Sequence, residues 1–235
     1  MSSQLPRAYF FAEPLSYADG IALQEALLAQ RIADEIGDAV LFLQHRPVIT
    51  LGRRGRRNFL LVSEAQLSAQ GIEFYQSSRG GDVTFHGPGQ LVMYPIIKQQ
   101  AAGPARAGGA HGHLDLLEQT AIRSAQHFGV EAFAREGMSG AWSAQGKLAA
   151  IGFAMKRWVS YHGVGFNLNP DLSAFDLIVG CGLQGEAVSS LAELLGDACP
   201  EMPEFQAVML AQLSELSGIL FEESPVEPLL ELLAP

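Results

Sequence analysis

The chain has 235 residues, of which 48% are hydrophobic and 17% charged. That suffices for one sizeable core and excludes an intrinsically disordered polymer. A net charge of −10 argues against a general nucleic-acid binder, but the charge is uneven: residues 1–158 hold all 15 Lys and Arg and 13 acidic residues, for +2, whereas residues 159–235 hold 12 acidic residues and no basic ones, for −12.

Ala18 to Ile36 has the three- and four-residue apolar steps of an amphipathic helix, with Gly37 as its stop. Ala39 to Leu43 reads as a short apolar strand. His45-Arg46-Pro47-Val48-Ile49-Thr50-Leu51-Gly52 follows, and then four arginines in five positions, Arg53, Arg54, Arg56 and Arg57, which by themselves suit a solvated loop. Ser63-Glu64-Ala65-Gln66 has the spacing of a capping box and predicts a short helix ending by Gly71.

Ile72 to Gln76 is a predicted strand leading into Arg79-Gly80-Gly81-Asp82-Val83-Thr84-Phe85-His86-Gly87-Pro88-Gly89-Gln90. Four glycines and a proline fall within these twelve residues, interleaved with Arg79, Thr84, His86 and Gln90. Glycine lets the backbone turn with positive φ and lets a ligand approach closely. The spacing is neither the dinucleotide nor the phosphate-loop pattern. Leu91 to Ile97 reads as the strand leaving this loop.

Residues 99–113 are Gln-, Ala- and Gly-rich and read as a mobile loop; His111 and His113 lack the neighbours of a metal site. Leu114, Leu117, Ala121, Ala125 and Phe128 form a helical stripe stopped by Gly129. Val130–Ala134, Ala141–Ala144, Lys147–Met155 and Val159–Leu168 read as strands, the last broken by Gly163 and Gly165. Phe175 to Val179 is apolar and runs into Gly180-Cys181-Gly182. Ser190-Leu191-Ala192-Glu193 is a second capping-box pattern, and Phe205, Val208, Met209, Gln212, Leu213 and Leu216 mark a last helix. Strands gathered in the middle, with helices before, between and after, predict a single α+β domain on a mixed sheet, spanning 1–235.

No apolar run reaches the ~20 residues of a spanning helix, and the first residues lack a signal-peptide layout. Two cysteines, Cys181 and Cys199, make no disulfide framework, so a reducing cytoplasm is expected. A free cysteine is more often an inert small apolar residue than a nucleophile. Cys181, flanked by glycines after an apolar run, is the better nucleophile candidate; Cys199 has no such setting. Lys147 opens an apolar run, where partial desolvation disfavours the charged ammonium. It suits either a base or a surface lysine starting a strand.

The Arg79–Pro95 stretch closely resembles the signature of the lipoyl(octanoyl) transferases: Arg79-Gly80-Gly81, Thr84, Phe85-His86, Gly89-Gln90 and Tyr94-Pro95 all match. So do His45 to Gly52 (with Gln44 where an acidic residue is common), Gly146 to Gly152, Tyr161-His162-Gly163 and Cys181-Gly182-Leu183-Gln184-Gly185. The likeness runs from about residue 39 to 195. It implies the fold of the lipoate and biotin protein ligase catalytic domains, Cys181 as the acyl-accepting nucleophile and Lys147 as its partner. The substrate-binding segments it implies are Arg79, Gly80, Gly81, Asp82, Val83, Thr84, Phe85 and His86; Ala150, Ile151 and Gly152; and Gly163, Val164 and Gly165.

The implied reaction is octanoyl transfer from octanoyl-acyl carrier protein, through a cysteine thioester, to a lysine of lipoyl domains of 2-oxoacid dehydrogenases or of the glycine-cleavage H protein. No cofactor, metal, nucleic acid or membrane is expected. His86 and His162 rival Lys147 as the base, since imidazole commonly takes that task. An ATP-dependent lipoate or biotin ligase of the same fold, or a non-catalytic acyl-binding module, are the alternatives.

Overall fold

The computed structural model describes residues 4–99, 109–179 and 186–233. The strands are β1 (Arg7–Phe10), β2 (Ala39–Leu43), β3 (Val48–Leu51), β4 (Glu73–Gln76), β5 (Val83–His86), β6 (Gln90–Ile96), β7 (Phe133–Arg135), β8 (Met138–Ser143), β9 (Gly146–Lys156), β10 (Val159–Asn167) and β11 (Glu222–Glu223). The helices are α1 (Tyr17–Ile32), α2 (Glu64–Ala69), α3 (Gly109–His127), α4 (Leu191–Leu195), α5 (Met202–Ser217) and α6 (Glu227–Leu230).

Strand β2 shows how the layers arise. All five of its residues are buried, and alternate side chains point to opposite faces. Val40 and Phe42 join the core beneath α3 and α5, with Leu117, Ala121, Phe205 and Met209. Ala39, Leu41 and Leu43 join the core beneath α1, with Leu23, Leu27 and Leu28. The sheet between them has eight strands in the order β11-β1-β2-β6-β10-β9-β8-β7. Strand β1 runs parallel to both its neighbours and the other pairs are antiparallel, so the sheet is mixed as expected. A second sheet of three strands, β4-β3-β5, packs on Leu67 of α2 and on Ala174 and Ile178. The turn Gly87–Gly89 joins β5 of the small sheet directly to β6 of the large one.

Local signals are mostly where the sequence puts them. Ser63 and Gln66 form the full capping box of α2. The α3 stripe ends at Gly129 with φ +82°, and the Val130 amide reaches back to Ala125 O at 3.2 Å.

Other expectations are corrected. Helix α1 ends at Ile32, short of Ile36, because Asp34 itself takes the left-handed conformation (φ +57°) and the Glu35 amide closes on Gln30 O at 2.9 Å. The segment read as a loop to residue 113 is helical from Gly109, so His111 and His113 ride on α3; residues 100–108 lie outside the described residues. Val130–Ala132 is not strand; β7 begins at Phe133. Strand β10 runs unbroken through Gly163 and Gly165, because both are paired in register with β9. Part of the Arg79 loop is strand β5, in register with β3. The Ser190 box is half formed: its hydroxyl caps the Glu193 amide at 3.2 Å, but the Glu193 carboxylate accepts from Ser189 Oγ at 3.0 Å instead.

Candidate active site

The Arg79–Asp82 loop lies across β9, where the Gly80 amide donates to Phe153 O at 3.0 Å. A Cβ on Gly80 would meet Phe153 O at 2.8 Å, and one on Gly152 would meet Gly80 O at 2.8 Å. The close approach of the loop backbone to β9 thus requires a glycine at both positions. The Arg79 side chain turns back beneath the loop. Its Nε donates to Thr50 Oγ1 (3.0 Å), its Nη2 to Thr50 O (2.7 Å) and Asp82 O (2.7 Å), and its Nη1 to Gly80 O (3.0 Å). Arg79 therefore stitches β3 to the loop rather than standing ready at its surface.

Segments far apart in sequence meet here. Gly163 pairs with Gly152, Val164 with Ile151 and Gly165 with Ala150 across β9 and β10. All six line a cavity of about 150 Å³, closed on the other side by Gly81, Asp82, Val83, Thr84 and His86 with Arg79. Two of the expected binding residues are not in its wall. Gly80 gives the close approach to β9, and Phe85 points the other way, edge-on to Phe175 at 5.6 Å in the small-sheet core.

Polar rings also line the cavity; the sequence marked Tyr94 and His162 and missed Tyr17. Tyr17 and Tyr94 line it together with His162. Tyr17 OH bonds Ser77 Oγ (2.7 Å), and Tyr94 OH bonds His45 Nε2 (2.7 Å). His45 Nδ1 faces Leu15 O at 3.2 Å, so it donates there and Nε2 accepts from Tyr94. No local pattern marks Tyr17 as a wall of this site. His162 sits in the left-handed region (φ +58°); its Nε2 faces Ser78 Oγ at 3.0 Å, and its buried Nδ1 has no hydrogen-bond partner among the described residues.

Burial, foremost, keeps these rings neutral. It lowers His45 to about 4. It lowers His162 to about 3, helped by the charges of Arg79 and Arg53. His86 is held well below its ordinary value by burial, then by His45 and Arg79. Burial also raises Tyr17, and raises Tyr94 well above the usual phenol range.

A hydrogen-bonded chain leads from His86 outward. Gln90 Nε2 donates to Phe85 O and to Asn167 Oδ1 (2.9 Å), so Gln90 Oε1 accepts from His86 Nδ1 (2.6 Å). Asn167 Nδ2 in turn donates to Ser189 O at 3.1 Å. Gly89, at φ +84°, gives its amide to Gln44 Oε1 at 2.7 Å. An amide oxygen thus does at Gln44 what a carboxylate oxygen would do.

Lys147 stands where two cavities meet. It lines the small cavity and also an open one of about 820 Å³, and Thr84 and Ala150 line both. Its backbone is clamped: the amide donates to Ala187 O (2.9 Å), and the carbonyl accepts from Ser189 (3.1 Å). Its Nζ lies 5.1 Å from the centre of the Trp142 ring. The open cavity is walled by the 3₁₀ helix Leu172–Leu177, by Val179 and by Glu186 to Val188. Cys181 lies outside the described residues; Val179 and Glu186, on either side of that segment, both face the cavity that Lys147 faces. Cys199 is half-buried, with Sγ 3.7 Å from Pro200 O, and burial followed by Glu201 raises its pKa.

Against known proteins, the lipoyl protein ligase A/B catalytic domain matches residues 16–214, a wider span than the motifs alone mark. An octanoyltransferase of Caldicellulosiruptor saccharolyticus is 41% identical over 188 residues, 79% of this chain and 78% of that one. One from Chloroflexus aurantiacus is 39% identical over 223 residues, 94% of this chain and 95% of the other. Among solved structures, the bipartite lipoate protein ligase of Thermoplasma acidophilum, studied with its E2 lipoyl domain, superposes with a TM-score of 0.73 at 14% identity, covering 97% of this chain and 90% of that one. That last likeness is one of fold.

Proposed function

Since the chain belongs to the octanoyltransferases of the lipoyl protein ligase A/B catalytic-domain family, we propose that it acts in the cytoplasm as one catalytic domain, moving octanoyl from octanoyl-acyl carrier protein to a lysine of a lipoyl domain or of the glycine-cleavage H protein. Cys181 is the nucleophile and Lys147 its base. In the first step Lys147 takes the Cys181 proton, the thiolate attacks the thioester carbonyl, a new C–S bond forms as the carrier's C–S bond breaks, and the carrier sulfur leaves as a thiol with the proton that Lys147 returns. In the second the acceptor amine attacks the octanoyl-cysteine, the amide forms, the C–S bond breaks, and Lys147 takes the proton the nitrogen sheds. One thioester is exchanged and then spent on an amide, so the balance needs no ATP.

The observation that carries this reading is the position of Lys147 between a small cavity of about 150 Å³ and a large one of about 820 Å³. An engineered cavity of about 150 Å³ holds a six-carbon ring, so the small cavity suits the six carbons of octanoyl beyond Cα. Burying these five methylenes and the terminal methyl at ~0.8 kcal/mol per carbon contributes roughly 5 kcal/mol, enough to select by length. The buried histidines support Lys147 as the base, because an imidazole held as low as His162 is a poor proton acceptor at neutral pH. Cys199, with its raised pKa, offers little thiolate.

Intact-mass analysis after mixing with octanoyl-carrier protein tests it. One octanoyl adduct is expected, absent in Cys181→Ser and retained in Cys199→Ser. An adduct that survives in Cys181→Ser overturns the assignment. Transfer that requires free octanoate and ATP instead would make the chain a ligase.

A further inference from the structure

We propose that the basic loop Arg53–Arg57 is the docking face for an acidic carrier protein that delivers the acyl thioester; this rests on the octanoyltransferase reading above.

The loop is exposed and joined to the site by its backbone. Three successive amides donate into the loop that walls the small cavity: Gly52 to Asp82 O (2.8 Å), Arg53 to Arg79 O (3.0 Å) and Arg54 to Gly81 O (3.2 Å). Arg54 itself reaches the cavity wall. A partner held by these arginines is therefore in register with the cavity that takes its cargo.

The charges are available for a partner. Among the described residues Arg53, Arg54 and Arg56 make no ion pair, and Arg57 has only the exposed Glu64 at 2.8 Å. Four cations on one loop stand out in a chain of net charge −10. Such an arrangement attracts an acidic partner to this face and repels it elsewhere, which raises the encounter rate and sets orientation. The same net charge disfavours a nucleic acid, which would meet repulsion from most of the chain.

The test compares the native protein with Arg56→Glu/Arg57→Glu and Arg56→Gln/Arg57→Gln, leaving the cavity residue Arg54 in place. With octanoyl-carrier protein at low ionic strength, charge reversal is expected to lower kcat/KM about tenfold or more, through KM. The loss should shrink as salt is raised and screens the charges. The glutamine pair should fall between, and a small octanoyl thioester should be used by all three within about twofold. Equal losses on both substrates, an undiminished rate with the carrier, or tighter retention of the native protein on nucleic acid than on the carrier would overturn the assignment. If the native protein turns over neither substrate, the octanoyltransferase reading fails on its own. Direct titration with unacylated carrier protein then decides the face, since an unchanged Kd in the reversed variant overturns it.

Discussion

The two cavities that meet at Lys147 are built in different ways. The small one is framed by paired strands, β9 with β10 and β3 with β5, and by a loop locked on both sides by Arg79. The large one has strand residues on one side, Thr84, Gln90, Trp142 and Asn167 among them, and on the other a 3₁₀ helix and chain outside the regular strands, from Val179 and from Glu186 to Val188. Strand walls hold their shape because each position is fixed by a neighbour's hydrogen bonds. A wall of turns is held at fewer points. For the proposed reaction, selecting an acyl tail by length suits the first kind of wall, and admitting protein substrates suits the second.

The largest expected effect breaks the junction itself. Lys147→Ala should lower turnover about 10²–10⁴-fold, the range for a lost general base. Lys147→Arg keeps the charge but cannot release its proton at physiological pH. It should retain cysteine acylation, read by intact mass, and lose amine transfer, read by rapid quench. Near-normal rates of both steps in Lys147→Ala, with His86→Ala or His162→Ala folded and inactive, would assign the base to a histidine.

Acid should weaken the frame of the small cavity next. His45 and His162 are neutral when folded, at about 4 and about 3, and regain an ordinary value near 6.5 when unfolded. Below about pH 6.5 the unfolded chain therefore binds more protons, and stability falls with pH until the folded values are reached. For His45 alone the loss by pH 4 is roughly 3 kcal/mol. Denaturant unfolding between pH 7.5 and 4 measures it, and a flat profile would mean that these rings are solvated.

Thr50→Val sharpens the contrast from the small sheet. It removes the hydroxyl that accepts from Arg79 Nε and Nη2 while leaving the Thr50 carbonyl in place. A loss of about 1.5–3 kcal/mol in unfolding free energy is expected for a buried bond to a charged group. Loss of octanoyl selectivity should accompany it, as the loop loosens.

The smallest effect separates the two walls directly. Ile151→Ala enlarges the small cavity and should shift preference toward a ten-carbon acyl group by about tenfold, in line with one methylene being worth 1–3 kcal/mol in a pocket. Leu172→Ala, in the large cavity, should leave chain-length preference unchanged. A similar shift in both variants would mean that the tail lies in the open cavity.

What the sequence determined by itself is local. Ser63 and Gln66 are three residues apart, so their capping box is visible in the pattern and forms as written. The α3 stripe and its Gly129 stop, and the continuous apolar run of β2, are likewise local patterns. The segments proposed to bind substrate were marked by their motifs, and all their residues but Gly80 and Phe85 line the small cavity. Tertiary structure alone decided what they face. Tyr17 and Ser77 bond across 60 residues, Gln90 and Asn167 across 77, and Ser78 and His162 across 84. No periodicity encodes such separations, because each contact exists only once strands, helices and loops distant in sequence have come together. The same is true of Asp34, where the distant Lys98 pairs with it just beyond the end of α1. Short-range signals set where elements begin and stop; burial and long-range hydrogen bonds set which side chains become a site.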